Sequence, residues 1–206
     1  MATTTPNYGW PVPTSTDYVK DGATAIEALG DAIDATVFGL PSSGLILLNH
    51  QTFTSVASVS IGSDASPLFS ATYKNYRILI NATTSASSNI NLRVRANTTD
   101  ETGSVYRQAS FNVSSGALSG TISTITEMSI TQGSQAVAKT ACVDLFNPFE
   151  TSRTFNNGYG GNNVSANTAT RFSTGDVNNS TSYNGITVFP NSGNITGSIS
   201  VYGYNI

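Results

Sequence analysis

At 206 residues the chain has room for one domain of ordinary size plus an appendage, and a body of about 160 residues buries roughly two-thirds of its unfolded surface. Only 10% of the residues are charged and the net charge is −3, so Ser, Thr, Asn and Gly must supply most of the polar surface. That balance argues against a protein that tracks nucleic-acid phosphates. No segment approaches the run of about 18 apolar residues that spans a membrane. The N-terminus has neither the basic start nor the apolar core of a secretory signal, so a soluble protein made in the cytosol is expected. The single cysteine, Cys142, rules out an intramolecular disulfide framework; within VAKTACVDLF it reads as a small buried strand residue.

Residues 1–16 carry Pro6, Pro11 and Pro13 with Tyr8 and Trp10 between them. Proline fixes φ and removes backbone donors, so this reads as an extended arm without a core of its own. Tyr8, Trp10, Pro11 and Pro13 are its candidate anchoring residues. Ser15 and Thr16 are candidate N-caps for a helix running to about Thr36, which Gly39 and Pro41 stop. Val19, Ile26 and Ile33 recur every seven residues, and Leu29 falls between, giving a narrow apolar seam. A helix about 24 Å long is marginal alone, so the seam must pack on something: a parallel bundle around an oligomer axis or the chain's own β-domain. The order of Ile and Leu along the seam nominally favours two strands over three. Five acids, Asp17, Asp21, Glu27, Asp31 and Asp34, stand against Lys20 here, and the charge asymmetry marks a boundary. Residues 1–40 are therefore expected to form an attachment and oligomerisation segment, and 41–206 a separate domain.

From Leu45 the period becomes two. In NINLRVRAN, Ile90, Leu92 and Val94 alternate with Asn91, Arg93 and Arg95, the pattern of a half-buried strand. VASVSIG, QASFNVS, AVAKTACVDLF and GSISVYGYNI alternate similarly, while YRILINA is a denser, more buried run. TTSASSN, NTTDETGS, NNGYGGNN and FPNSGN read as turns. Many short strands without an intervening helix predict an all-β fold, an antiparallel sandwich with jelly-roll-like connections. No exact internal repeat suggests a propeller or solenoid.

Candidate chemistry is sparse, and no cofactor or metal is expected. His50 is the only histidine, which leaves no His-based metal cluster, and LLNHQTF gives it no catalytic setting. Asp144 with Glu150, or Asp100 with Glu101, are of the right type for glycoside hydrolysis but carry no spacing signature. The Gly-rich stretch 158–163 lacks the lysine and helix of a phosphate loop. Tyr159 with Asn156, Asn157, Asn162 and Asn163 would suit a sugar, the ring covering an apolar face and the amides binding hydroxyls. Arg93 and Arg95 share a strand face, which suits an acidic ligand, an inter-subunit carboxylate or simple solvation. The N-x-S/T triplets, at Asn81 and six later positions, are read as accidents of composition.

Residues 8–34, YGWPVPTSTDYVKDGATAIEALGDAID, resemble the N-terminal segment of many tailed-bacteriophage tail-fibre and related virion proteins, where a Pro-rich arm leads to a TD-V-DGA-AI-LG-AID helix. FSATYKNYRILINA, NLRVRAN, VYRQASF and the ending ITVFPNSGNITGSISVYGYNI are similar, more loosely, to the β-rich surface domains of such proteins. The resemblance covers about half of the chain and leaves residues 114–180 unmatched. It implies a non-enzymatic virion protein, usually trimeric, attached by its N-terminus and meeting a bacterial surface saccharide with its β-domain. The alternatives are a capsid decoration or head-fibre protein and, on the strength of the acids alone, a polysaccharide-degrading enzyme.

Overall fold

The computed structural model describes residues 3–14, 18–39, 44–114, 117–133, 137–164 and 167–205, and contacts divide the chain into two units, 1–43 and 44–206.

In the first unit the arm is doubled back. Strands β1 (Thr3–Thr4) and β2 (Pro11–Val12) pair antiparallel, Thr3 opposite Val12 and Thr4 opposite Pro11. Proline cannot donate, so the ladder stays short; Gly9, at φ +68°, makes the reversal and donates to the Thr5 carbonyl at 3.0 Å. Tyr8 and Trp10 stack at 5.1 Å. A 3₁₀ turn (Val19–Asp21) leads into α1 (Gly22–Gly39), which ends on the expected glycine, three residues beyond Thr36. Ser15, Thr16 and Pro41 lie outside the described residues.

β2 packs on α1, and the Trp10 indole Nε1 donates to Thr36 Oγ1 at 2.9 Å, which in turn donates to the Ala32 carbonyl at 2.8 Å. Replacing Thr36 with Val removes the indole's acceptor. The arm's docking is expected to weaken by about 1 kcal/mol, seen as a red shift in the fluorescence of this single tryptophan.

In the second unit, alternation along each strand sets the layers. β5 (Asn75–Thr84) buries Tyr76, Ile78, Ile80 and Ala82 and turns Arg77 and Leu79 outward. β6 (Ile90–Ala96) buries Ile90, Leu92 and Val94 as its pattern predicts. The remaining core strands are β3 (Gly44–Val56), β4 (Val59–Ile61), β10 (Met128–Ser129), β11 (Ala138–Phe146), β14 (Gly185–Pro190) and β15 (Ile195–Asn205). They run in the order β3-β15-β5-β11 in one sheet and β4-β14-β6-β10 in the other, all pairs antiparallel. The chain crosses between sheets at every step along these core strands except from β6 to β10, which pair with each other; this is the double Greek-key wrapping of a jelly roll. A short β7 (Thr99–Asp100) pairs with β6.

Two hairpins are inserted into this frame. β8 (Tyr106–Ser114) with β9 (Ala117–Ile125), and β12 (Thr154–Val164) with β13 (Asn167–Val177), extend the first sheet to eight strands ending β11-β12-β13-β8-β9. The second sheet stops short of them, and the segment from β10 to Gln132 lies beneath instead: Gln108 Nε2 donates to the Ser129 carbonyl at 3.0 Å and Asn162 Nδ2 to the Gln132 carbonyl at 2.8 Å.

That arrangement corrects the sequence reading of NNGYGGNN as a turn and of its asparagines as a loop; they form β12. A Cβ on Gly160 would lie 2.3 Å from the Ile130 carbonyl oxygen, so this glycine serves a close crossing of two backbones rather than a reversal.

Candidate functional site

Strand register gathers the site. On the outer face of the eight-stranded sheet Tyr159 lies opposite Phe172, and Phe172 opposite Phe111. Neighbouring strands are about 4.8 Å apart, so the three rings form one continuous row across β12, β13 and β8. Tyr159 and Phe172 are each about half exposed, at 56% and 52%, far more than inward-facing aromatics such as Tyr76. Below the row Asn157 lies opposite Thr174, and Thr174 Oγ1 donates to Asn157 Oδ1 at 2.6 Å. An open depression of about 310 Å³ runs between Tyr159, Phe172, Asn157, Thr174 and Asp144.

The rim is electrostatically fixed. Arg77 Nε and Nη2 donate to the two oxygens of Asp144 at 2.8 Å each, and the Tyr204 hydroxyl donates to Asp144 Oδ1 at 2.8 Å. Burial raises the Asp144 pKa, but the Arg77 and Tyr204 bonds outweigh it and hold the carboxyl below its ordinary value. Burial, with Asp144 as acceptor, pushes the Tyr204 phenol up to about 12. The Cys142 sulfur beside Tyr159 raises that phenol as well, so Tyr159 meets a ligand as a neutral donor.

A depressed carboxylate stabilises the fold above its unfolded pKa, near 4, and the contribution is lost as pH falls through the lower folded value. Both partners are partly exposed, so Asp144→Asn is expected to cost about 1–2 kcal/mol at pH 7. The gap between the melting curves of wild type and variant should narrow as pH falls below the ordinary carboxylate range; a constant gap would mean that the charge is not what matters.

The residues singled out from sequence separate. Asn157 and Tyr159 sit on the outer face, whereas Asn156 and Asn162 are buried on the inner one, so they are corrected from ligand contacts to structural groups. The Asn163 side chain lies outside the described residues. Phe111, Phe172 and Thr174 were missed. Phe111 lies in the alternating run QASFNVS, but with its face turned outward; in NTATRFSTGDV only Phe172 faces out, while Ala169 and Val177 are buried.

Arg93 and Arg95 do share a face, but each meets a carboxylate of its own chain, Glu127 at 2.9 Å and Asp100 at 3.3 Å. His50 Nδ1 pairs with Ser200 Oγ at 2.9 Å. Among the acids weighed for hydrolysis, Asp144 and Asp100 are held in ion pairs. Glu101 accepts from Gly103 N and Asn179 Nδ2, and Glu150 is exposed. Among the described residues no group of three or more His, Cys, Asp or Glu could hold a metal ion. Among the same residues no helix is long and apolar enough to cross a membrane.

In the first unit the expected seam is split. Val19 and Ile26 are 98% and 66% exposed, while Leu29 and Ile33 are half-buried along with Ala25, Ala32 and Thr36. The doubled arm, with Trp10 on Thr36, occupies part of the helix surface and leaves a stripe of Val19, Ile26 and Val37 open. Tyr8 is exposed, and Pro11 and Pro13 are half-buried.

Compared with known proteins, the chain matches no family model, and no curated protein is significantly similar to it.

Proposed function

We propose that the chain is a structural virion protein of a tailed bacteriophage, a short tail fibre held on the particle by residues 1–40 that meets a host-surface saccharide with its β-domain. The observation that carries the receptor half is the outer-face depression. Exposed aromatic rings there offer faces to the apolar sides of a pyranose, and Asn157, Thr174 and the Tyr159 hydroxyl offer hydrogen bonds from a surface of low charge. The resemblance of residues 8–34 to virion attachment segments supports the other half, as does an open apolar stripe on α1, which suits a small bundle of copies. A homotrimer would multiply weak sugar contacts through effective concentration. Neither reaction chemistry nor a cofactor enters this reading.

Tyr159→Ala is the test. Each ring–sugar contact is expected to contribute about 1 kcal/mol, so three copies acting together lose roughly a hundredfold in adsorption to host cells. The variant should still assemble into particles and melt within about 2 °C of wild type, since an exposed substitution disturbs little. Adsorption unchanged by both Tyr159→Ala and Phe172→Ala would reject the site. Particle imaging that places the protein on the capsid would favour the head-fibre alternative.

A further inference from the structure

We infer that the outer face of the β8–β9 hairpin is a contact surface for a second copy of this chain. β9 is the last strand of its sheet, and every residue from Ala117 to Ile122 is exposed, so neither face of that stretch is covered and one backbone edge is unpaired. Natural edge strands are normally guarded by charge or proline, but ALSGTISTI has neither. The outward row carries Leu118 and Ile122, 70% and 88% exposed, beside Phe111, Val113 and Phe172. These five side chains leave on the order of 500 Å² of apolar surface open, at the upper end of what monomers show. With the hydroxyl-bearing margin of Thr124, Thr170 and Thr174 the surface approaches the roughly 800 Å² per partner of a stable contact.

The shape and charge of the patch identify the occupant. The nearest charged outward residue, Arg107, already pairs with Asp176, so the patch is neutral and a charged partner gains nothing from it. Ile122 stands out as a knob. Beside it Gly120, which lacks a side chain, and the small Ala109 leave a hollow of about 450 Å³ against the Phe111 ring. Knob and hollow within one neutral, nearly flat patch make the surface complementary to itself, the condition for copies of one chain to meet through it. The depression beside Tyr159 overlaps this patch at Ala109, Phe111, Phe172 and Thr174, so a ligand there and the second copy compete for those residues. This contact is separate from the α1 stripe and does not depend on the virion reading.

The experiment is native mass spectrometry and sedimentation of the full chain over a range of concentrations. Ile122→Asp removes the knob and charges the patch; Gly120→Phe fills the hollow. Each is expected to raise the concentration for half-association at least tenfold, with an unchanged far-ultraviolet spectrum because the positions are exposed. Amides of residues 117–125 in the wild type should lose hydrogen-exchange protection on dilution. Association unchanged in both variants overturns the inference, as does a wild-type chain that stays monomeric. Copies dispersed by Ile26→Lys but by neither β9 variant would assign the contact to the helix and overturn it equally.

Discussion

Gly160→Val is expected to lower stability by about 3 kcal/mol, while Gly161→Val, one residue along, changes it by less than about 0.5 kcal/mol. The two glycines face opposite sides of β12. A Cβ at Gly160 points at the Ile130 carbonyl oxygen, 2.3 Å away, with Thr131 Cγ2 at 3.0 Å; a Cβ at Gly161 meets nothing nearer than Thr140 Oγ1 at 3.7 Å. Ile130 cannot retreat easily. Its amide donates to the Ile90 carbonyl at 3.0 Å, and Thr131 Oγ1 accepts from the Ile90 amide at 2.8 Å, which ties the segment to β6 on its far side. Valine at 160 must therefore push β12 outward, taking Tyr159 and Asn157 with it. For a domain of this size the penalty is a fall of about 6–12 °C in the melting midpoint. The two variants, made in parallel and followed by circular dichroism, separate backbone crowding from any general intolerance of valine; equal midpoints would refute the close crossing as the reason for glycine.

Phe69→Ala should cost about 3–5 kcal/mol, or roughly 6–20 °C in the midpoint. Phe69 is not on a strand. It lies in the connection between β4 and β5, fully buried, with its ring 4.5 Å from that of Tyr76. Around it the Leu68 amide donates to the Asn184 carbonyl at 2.8 Å, and the Tyr76 hydroxyl donates to the Ser70 carbonyl at 3.0 Å while accepting from the Ser70 amide at 2.8 Å. Truncating the ring leaves a void between elements already fixed by these bonds, so collapse is limited and the cavity cost is near its full value. Phe155→Ala, on the half-exposed outer face, is the comparison and should cost under about 1 kcal/mol. Similar losses at both positions would show that the connection does not plug the core.

The Phe69 connection also shows where sequence patterning stops. FSATYKNYRILINA contains the clear strand YRILINA, but nothing in the short apolar pair Leu68–Phe69, flanked by Pro67 and Ser70, says that Phe69 is buried more completely than most strand residues. Burial there is decided by which sheets the loop happens to close.

For the core strands the sequence determined the outcome. YRILINA, NLRVRAN and the C-terminal GSISVYGYN alternate because one face meets the opposite sheet and the other does not. A two-residue period carries that information locally, so β5, β6, β15 and the all-β class are legible, as are Cys142 in β11 and the helix end at Gly39. The inserted hairpins obey a different rule. The inner face of β12–β13–β8 packs on a polar backbone segment through Asn156, Asn162, Gln108 and glycines, and Phe111, Phe155, Tyr159 and Phe172 point outward, while Tyr106 and Val177 at its end enter the core. Patterning that assumes an apolar interior therefore reads β12 as a turn and gives Phe111, Phe172 and Ile122 no role. Only the tertiary structure decides that these strands join one sheet in a register that lines up Tyr159, Phe172 and Phe111, because register between strands distant in sequence is set by what each face can pack against. The candidate site was thus half visible as two residues, Asn157 and Tyr159, and became a surface when the fold supplied their neighbours.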